Sequence, residues 1–440
     1  MPSVSSNRSE FAQVPLSALT LGSVLSAPIF EPGSERTKLL GKDVQIDSGV
    51  LQKLASRGVA YVSVSKRDLA AMTAGQPQGN RKEVDDHEYR PVELQTEHSQ
   101  EVESLIAETP SGELPTTSLD PRWNNPPTTK YDPAAVNEKL RERESHISYV
   151  ESVFGELITH GGTEDGDLSV VCRRSIVSVL EDKDLFMRLG LNPFDSEYPS
   201  RHSLHVSSVA ISIGVMLGLE DQSLHDLGTG CLVHDIGMLK LDSTFYRAKR
   251  KLRPKELEYL AQHPILTLDA LANSGVELSR IARIVAYQVH ERCDGSGYPR
   301  AMRDEHIHSL SKIAMVADMY VGLVSNRPHR RALMPYHAIT KILNAIPEGK
   351  FDAKAVRGLL HAMSLFPIGS FVETHDGRVA RVVRSTGETY MRPVIEFWNP
   401  KHQIYEPNLV NLAQEPEIQI KRAIPAPSIS PSIGRRTRVA

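Results

Sequence analysis

The stretch HERCDGSGYP, at residues 290–299, and the shorter stretch CLVHDIG, at residues 231–237, are the most informative parts of this chain. His234 follows an apolar run that predicts a helix, and His290 stands where another helical pattern ends. A His-Asp pair alone is a weak signal because it occurs by chance. The ten-residue stretch is long and therefore specific.

Further histidines and one more aspartate recur on either side of these stretches. Imidazole and carboxylate groups together suit divalent metals such as iron, manganese, zinc and nickel, and helical bundles commonly build metal sites from facing helices. Taken singly, each histidine is more often a hydrogen-bonded core residue than a ligand. The candidate metal ligands are His202, His234, Asp235, His263, His290 and Asp318.

The sequence around these residues predicts an all-α bundle. From Asp167 to Ala362 the apolar residues recur with a period near 3.6, as in the stripe Val206, Val209, Ala210, Ile213 and Leu217. Short Gly or Pro breaks separate the helices. We therefore predict a central helical domain over residues 131–366, with its core at 195–365.

A long helix is predicted to lead into this domain. Asp132-Pro133 provides a preferred N-cap followed by a proline suited to the first helical position. Apolar residues then follow a heptad pattern that Arg143 interrupts. Two interpretations stay open: the helix lays its apolar stripe on its own domain, or residues 132–159 form a homodimer.

The flanking regions complete a multidomain prediction. Residues 10–73 predict a small N-terminal α/β module, with strands at Val24–Phe30 and Val59–Val64 and a helix near residues 47–55. Residues 74–130 are rich in Pro, Gly, Glu and Thr and predict a flexible linker. Residues 367–421 predict a small C-terminal β-rich module with a hairpin at Asp376-Gly377, and residues 422–440 a disordered tail.

Composition narrows the class of protein. The 440 residues carry a net charge of −3, which argues against electrostatic capture of a nucleic acid polymer. The three cysteines are widely spaced, as expected for reduced thiols, and no stretch approaches the roughly 20 apolar residues of a membrane span. We expect a cytoplasmic protein without a membrane partner.

The two stretches belong to a longer set of motifs. With Arg201-His202-Ser203-Leu204, His263-Pro264, Val316-Ala317-Asp318 and Asn326-Arg327-Pro328, they resemble the HD-GYP family in order and spacing. This family, part of the HD superfamily of metal-dependent phosphohydrolases, is a helical bundle. It hydrolyses the bacterial second messenger cyclic di-GMP with two or three metal ions. The resemblance implies a phosphodiesterase in signal transduction that yields pGpG, GMP or both, and signalling proteins as partners.

The resemblance also implies roles for individual residues. His202, His234, Asp235 and Asp318 would hold one divalent ion, and Asp235 would bridge to a second ion at His263 and His290, with iron, manganese or a similar metal in both sites. His234 and Asp235 form the implied catalytic pair. Paired cations suit phosphodiester hydrolysis because they neutralise the phosphate and lower the pKa of water. The implied substrate-binding residues are Gly295, Gly297, Tyr298, Pro299, Arg327 and Arg330.

Several positions depart from the family pattern. The family usually has a second histidine where Val289 stands, so the second metal site is expected to be weaker. A lysine that normally assists at the phosphate is replaced by Met238, and Lys240 compensates only if the backbone there is not helical. Three other positions also differ: Val321 replaces an aspartate, His205 an arginine, and Tyr198, next to Glu197, a glutamate of trinuclear members. At most two metals are therefore expected.

Three hypotheses follow for the function. The first is an active cyclic di-GMP phosphodiesterase. The second is a degenerate HD-GYP domain that senses the nucleotide or docks a protein without turnover, which Val289, Met238 and Val321 favour. The third is an HD-type phosphohydrolase with another nucleotide substrate, against which the complete GYP loop counts.

Overall fold

The computed structural model describes residues 11–15, 25–31, 34–42, 44, 54, 61–68, 91–109, 112–114, 116–118, 126–159, 168–190, 198–272, 274, 276, 278–400, 402 and 404–426. The chain divides into two compact units, residues 1–86 and residues 87–440. Among the described residues, no helix is both long enough and apolar enough to span a membrane.

The first unit contains a four-stranded antiparallel sheet in the order β1-β4-β2-β3. Strands β2 and β4 overlap the two strands predicted from the sequence, whereas β1 and β3 were not predicted. The helix predicted near residues 47–55 lies outside the described residues, apart from Leu54. The strands are β1 (Phe11–Pro15), β2 (Ile29–Glu31), β3 (Ser34–Leu40) and β4 (Tyr61–Ser65).

The second unit is mainly helical, as predicted. Helix α4 lies at its centre, where almost every residue is buried between α3, α5, α10 and α12, because its sequence combines apolar residues with small Ser, Ala and Gly. The helices are α1 (Glu97–Glu108), α2 (Pro133–Thr159), α3 (Leu168–Gly190), α4 (Ser200–Met216), α5 (Asp221–Val233), α6 (Ser243–Tyr246), α7 (Pro254–Leu260), α8 (His263–Ala272), α9 (Arg280–Gln288), α10 (Ser309–Val324), α11 (Pro335–Asn344) and α12 (Ala353–Met363).

Helix α1 lies inside the segment for which the composition predicts a flexible linker, and here the structure differs from that expectation. Thr96 and Ser99 cap the helix reciprocally, and Val102 is buried against the bundle. Glu101 pairs with Arg283 at 2.8 Å. A composition rich in glutamate indicates a solvated chain only when no opposite charges face the glutamates. Here Arg280 and Arg283, more than 170 residues away in sequence, pair with Glu108 and Glu101.

Helix α2 begins at Pro133 as predicted, and the Asp132 carboxylate accepts a hydrogen bond from Ala134 N at 3.1 Å. From Ile147 to Leu157 its apolar stripe is buried against its own unit. Leu140, in the first half of the helix, is 36% exposed. The structure therefore favours packing on the same domain over a homodimer seam, because most of the stripe is already covered.

A five-stranded antiparallel sheet in the order β8-β7-β6-β5-β9 closes the unit. The hairpin predicted at Asp376-Gly377 joins β5 to β6, and Gly377 adopts the left-handed φ of 82° that the turn requires. Strand β9 ends at Ile424 and so enters residues 422–440, for which a disordered tail was expected, because it pairs with the distant β5. The strands are β5 (Phe371–Thr374), β6 (Val379–Arg384), β7 (Val394–Asn399), β8 (Ile404–Asn411) and β9 (Ile420–Ile424).

Buried charges join this sheet to the bundle. The Lys183 ammonium, 1% exposed, donates to Asp184 Oδ1 at 2.6 Å and to the Ala362 carbonyl at 3.1 Å. The hydroxyl of Ser385, just after β6, donates to the same Asp184 oxygen at 2.9 Å. The sheet is therefore held against α3 and α12 by a hydrogen-bonded ion pair rather than by a loose tether.

Candidate metal centre

The structure brings all six predicted ligands together in the interior of the helical bundle. Each is less than 9% exposed. They come from five places in the chain: His202 lies on α4, His234 and Asp235 directly after α5, His263 at the first residue of α8, His290 shortly after α9, and Asp318 on α10.

Asp235 lies at the middle of this cluster. Its Oδ1 is 3.4 Å from His234 Nε2, 3.2 Å from His263 Nε2 and 3.5 Å from His290 Nε2. Its Oδ2 is 3.7 Å from His202 Nε2. Two groups of donor atoms, each within 4.8 Å of one another, therefore share this carboxylate: His202, His234 and Asp235 form the first group, and Asp235, His263 and His290 form the second.

Asp318 is the second carboxylate of the cluster. Its Oδ1 lies 3.2 Å from His202 Nε2, and its Oδ2 lies 3.2 Å from His290 Nδ1. One aspartate thus stands beside a histidine of each group. The arrangement places two carboxylates and four imidazoles around one buried space.

Two of the histidines are oriented by their second ring nitrogen. His234 Nδ1 lies 2.7 Å from the Cys231 carbonyl, and His263 Nδ1 lies 2.7 Å from the Leu260 carbonyl. Since a carbonyl only accepts, each Nδ1 carries the proton, and each Nε2 turns its lone pair towards Asp235. This tautomer is the one that a metal-binding histidine needs.

The glycine of the His-Asp-Ile-Gly run allows α8 to come close. A side chain on Gly237 would place a Cβ 2.1 Å from the His263 carbonyl oxygen, which no other residue type would tolerate. The Thr267 hydroxyl accepts from Gly237 N and donates to the His234 carbonyl, both at 2.9 Å. These contacts fix the distance between His234 and His263.

The buried donor atoms at this centre fit a cation. His234 Nε2, His263 Nε2, His290 Nε2 and Asp235 Oδ1 are all buried without a hydrogen-bond partner. Unpaired buried polar atoms are costly and rare in proteins, and here they converge on one point. Their mixture of imidazole nitrogen and carboxylate oxygen suits first-row divalent metals.

The pKa values at the centre follow from burial and from close opposite charges. Burial lowers the pKa of His234 to about 4, so that its imidazole is neutral. For Asp235, burial raises the pKa, but the surrounding histidines outweigh it and hold the value well below the usual range. Burial likewise lowers the pKa of His290, but Asp318 and Asp235 raise it to about 9. A cation bound beside His290 would displace that proton.

Tyr198 belongs to the centre although the sequence marked it only as a departure from the family. Its hydroxyl donates to Asp235 Oδ2 at 2.9 Å, and its ring lies 5.7 Å from that of His202. Burial, together with the Asp235 carboxylate, raises the pKa of Tyr198 well above its usual value, so the hydroxyl remains a donor. The neighbouring Glu197 lies outside the described residues.

At the other departures from the family pattern, the structure shows either a buried side chain or a new contact. Val289 and Val321 are buried in the main apolar core, and Met238 is also buried. The backbone at residues 236–240 is a 3-10 helix with Lys240 exposed at its end, so compensation by Lys240 is not supported. A guanidinium from another helix, that of Arg143 on α2, reaches His205.

The GYP loop contacts both the backbone and the ring of His290. Gly295 has a φ of 84°, and a Cβ on Gly297 would lie 2.4 Å from the backbone of Glu291. Tyr298 N donates to the His290 carbonyl at 3.1 Å, and the Tyr298 ring stacks on His290 with centroids 4.9 Å apart. Pro299 is buried within the same loop. The side chain of this motif that meets the centre is thus the tyrosine.

The two predicted phosphate-binding arginines have different surroundings. Desolvation lowers the pKa of Arg327, but Tyr198, Asp318 and Asp235 outweigh this effect and raise the pKa above its ordinary value. Arg330 donates to the carbonyls of Leu323 and Gly322 at the end of α10. These bonds favour a helix-capping role for Arg330 over phosphate binding.

Comparison with known proteins agrees with this site. The family model described as "HD domain" matches residues 192–355. The chain is similar to cyclic di-GMP phosphodiesterase PA4108 of Pseudomonas aeruginosa, with 27% identity over 53% of this chain and 56% of the relative. It is also similar to cyclic di-GMP phosphodiesterase PdeB of Borreliella burgdorferi (24%, covering 43% and 49%) and to 3'3'-cGAMP-specific phosphodiesterase 3 of Vibrio cholerae (28%, covering 39% and 37%).

The matches span about half the length of the first two of these relatives. A solved structure, the Bdellovibrio bacteriovorus HDG"Y"P protein Bd1817, aligns over 79% of this chain and 98% of that chain, with 14% identity and a TM-score of 0.43. The match over residues 192–355 makes the chain similar to HD domain proteins, and its relatives make it similar to proteins named cyclic di-GMP phosphodiesterases, in agreement with the HD-GYP resemblance of its sequence motifs.

Proposed function

We propose that this protein hydrolyses a phosphodiester bond of cyclic di-GMP with the help of two divalent metal ions. The observation that carries the proposal is the pair of donor groups sharing Asp235, with buried nitrogen and oxygen atoms that lack partners and face one point. Relatives named cyclic di-GMP phosphodiesterases support the choice of substrate.

The proposed metal ligands follow the geometry. His202, His234 and Asp235 would hold one ion with Asp318 beside them, and Asp235, His263 and His290 would hold the second. Two divalent ions, when bound, would neutralise the phosphate and lower the pKa of water. Iron or manganese suits this mixed donor set, and the second site lacks a ligand at Val289.

The remaining residues of the site bind and orient. Asp235 keeps its carboxylate ionised between the two donor groups, and the Tyr198 hydroxyl holds one of its oxygens in place. The raised pKa of Arg327 keeps its guanidinium charged, and this charge is proposed to meet a phosphate. Tyr298 and the backbone at Gly295 and Gly297 are proposed to contact the nucleotide.

The test is hydrolysis by the purified protein. After reconstitution with Mn²⁺ or Fe²⁺, we expect cyclic di-GMP to be converted to pGpG or GMP, as separated by liquid chromatography, and a His234→Ala, Asp235→Ala variant to leave it intact. Parallel reactions with 3'3'-cGAMP test the substrate class. An intact nucleotide in the presence of two bound metal equivalents and a helical circular dichroism spectrum would contradict the proposal.

A non-hydrolytic sensor is the second candidate. It is favoured by Val289 and Met238, which are buried and supply neither a ligand nor a charge where the family has them. Calorimetry separates the two, since a sensor binds cyclic di-GMP and leaves it unchanged for hours. A cytoplasmic location, signalling partners and a homodimer through α2 remain predictions, the first supported by three free cysteines.

A further inference from the structure

Residues 91–109, which include α1, are bound directly to the loop that follows the GYP motif. We call these residues the latch segment. Val102 is buried in an apolar cluster with Ile265 of α8 and with Ile284 and Tyr287 of α9. The latch segment therefore covers helix α8, which begins with His263, and helix α9, which ends two residues before His290.

Polar contacts connect the same segment to residues 299 and 300. Val92 N donates to the Pro299 carbonyl at 2.7 Å. Arg300 donates through Nη2 to the Leu94 carbonyl at 3.0 Å and through Nη1 to the Val92 carbonyl. Its Nε donates to Glu103 Oε1 at 2.6 Å. The Arg300 guanidinium thus holds both the extended start of the latch segment and α1.

Glu103 accepts a second hydrogen bond, from the Tyr287 hydroxyl at 2.6 Å. Tyr287 is fully buried, Arg300 has 11% of its side chain exposed and Glu103 has 29%. Charge-assisted hydrogen bonds in such partly buried settings are short and stronger than neutral ones. Loss of the Glu103 carboxylate would leave two buried donors without their acceptor.

The loop at residues 291–302 contains Arg300 and also contacts the metal centre. Arg300 N donates to Glu291 Oε1 at 2.7 Å, and Met302 N donates to Glu291 Oε2 at 2.9 Å. Two residues before Arg300, the Tyr298 ring stacks on His290, and its N–H donates to the His290 carbonyl. His290 lies 3.5 Å from the shared oxygen of Asp235.

We infer that Glu103 is a positioning residue for the second donor group: through Arg300 it holds the loop that stacks Tyr298 on His290. An effect of Glu103 on catalysis rests on the proposed function. The effect of Glu103 on the loop at residues 291–302 does not depend on it.

Hydrogen exchange of the metal-free chain, residues 1–440, tests the restraint itself. In Glu103→Ala, peptides covering residues 291–302 are expected to exchange on the order of tenfold faster, because the loop opens more often. Glu103→Gln keeps an oxygen acceptor and should stay close to the parent. The matched control is Glu101→Ala, which removes the neighbouring ion pair with Arg283 on the same helix and should leave residues 291–302 unchanged.

Manganese titration by calorimetry tests the link to the centre. Glu103→Ala is expected to weaken the manganese affinity of the second site by roughly tenfold and to leave the affinity of the first site unchanged. A loss of this size is typical when a residue that orients a metal ligand without binding the metal is removed. Circular dichroism and a thermal melt check folding. Should Glu103→Ala fail to fold, Arg300→Lys, which keeps the charge but loses the fork, is expected to give the same two effects.

Equal effects of Glu101→Ala and Glu103→Ala on exchange or on manganese affinity would overturn the inference, as would unchanged values in Glu103→Ala. Failure of the proposed function looks different. If the parent binds manganese and does not hydrolyse cyclic di-GMP, the exchange and affinity differences among these variants still decide the role of Glu103.

Discussion

The two donor groups that share Asp235 differ in how their histidines are held. In the first group, His202 lies within the central helix α4, and His234 follows directly on α5. In the second, His263 is the first residue of α8, and His290 lies in the loop after α9. The first group therefore depends mainly on the packing of whole helices, and the second on a loop and its supports.

Because of this difference, the histidines of the two groups are expected to differ in how easily they move. A buried helix moves little, because shifting it would open cavities along its whole length. A loop residue keeps its position only through local contacts, here the Tyr298 stack, the Glu291 carboxylate and the latch segment. The second group has in addition a valine at position 289, where a further ligand would strengthen it. We expect it to bind metal more weakly than the first.

The largest effect is expected where the two groups are joined. Asp235→Ala removes the carboxylate that both share, so both metals should be lost and hydrolysis should fall by roughly 10³-fold or more. Metal analysis and turnover of cyclic di-GMP measure the two effects, with Asp269→Ala on α8 as a control for loss of an aspartate. Retention of two equivalents in Asp235→Ala would show that the groups are independent.

Substituting one histidine in each donor group should show which metal site each group forms. His202→Ala is expected to remove the tighter manganese equivalent, and His263→Ala the weaker one, each with an affinity loss of at least roughly 100-fold at its own site. Calorimetric titration of both variants against the parent gives the assignment. If His202→Ala removes the weaker equivalent, the ranking proposed above is reversed.

A smaller effect is expected from Tyr198, which touches Asp235 on the side of the first group. Tyr198→Phe deletes only the hydroxyl that donates to Asp235 Oδ2. The affinity of the first site should fall by about tenfold, as is typical when a hydrogen bond to a metal ligand is removed. Tyr246→Phe, whose ring lies 5.6 Å away, is the matched control and should leave that affinity unchanged.

The smallest effect concerns the weaker group directly. Val289→His introduces an imidazole at a fully buried core position and should cost about 1–3 kcal/mol of stability without metal. If the new ring reaches the second site, Mn²⁺ should restore more thermal stability to Val289→His than to the parent. Equal metal-induced shifts in melting temperature would mean that the core holds this position away from the centre.

The sequence predicted much of the fold and the whole set of candidate ligands. Helical periodicity gave the bundle, Asp132-Pro133 located the start of α2, and Asp376-Gly377 located the hairpin of the last sheet. The six candidate ligands could be named because their motifs are contiguous in the chain. The predicted linker was wrong over α1, and β9 was missed, since both are stabilised by partners far away in sequence.

By itself, then, the sequence determined the elements and the kinds of side chain available, because helix periodicity, caps and motifs are local properties. Only the tertiary structure decided which distant side chains meet. Glu103 and Arg300 are 197 residues apart, Arg143 and His205 are 62 apart, and Tyr198 meets Asp235 across 37 residues. No local pattern encodes such pairs, because each depends on how the helices pack.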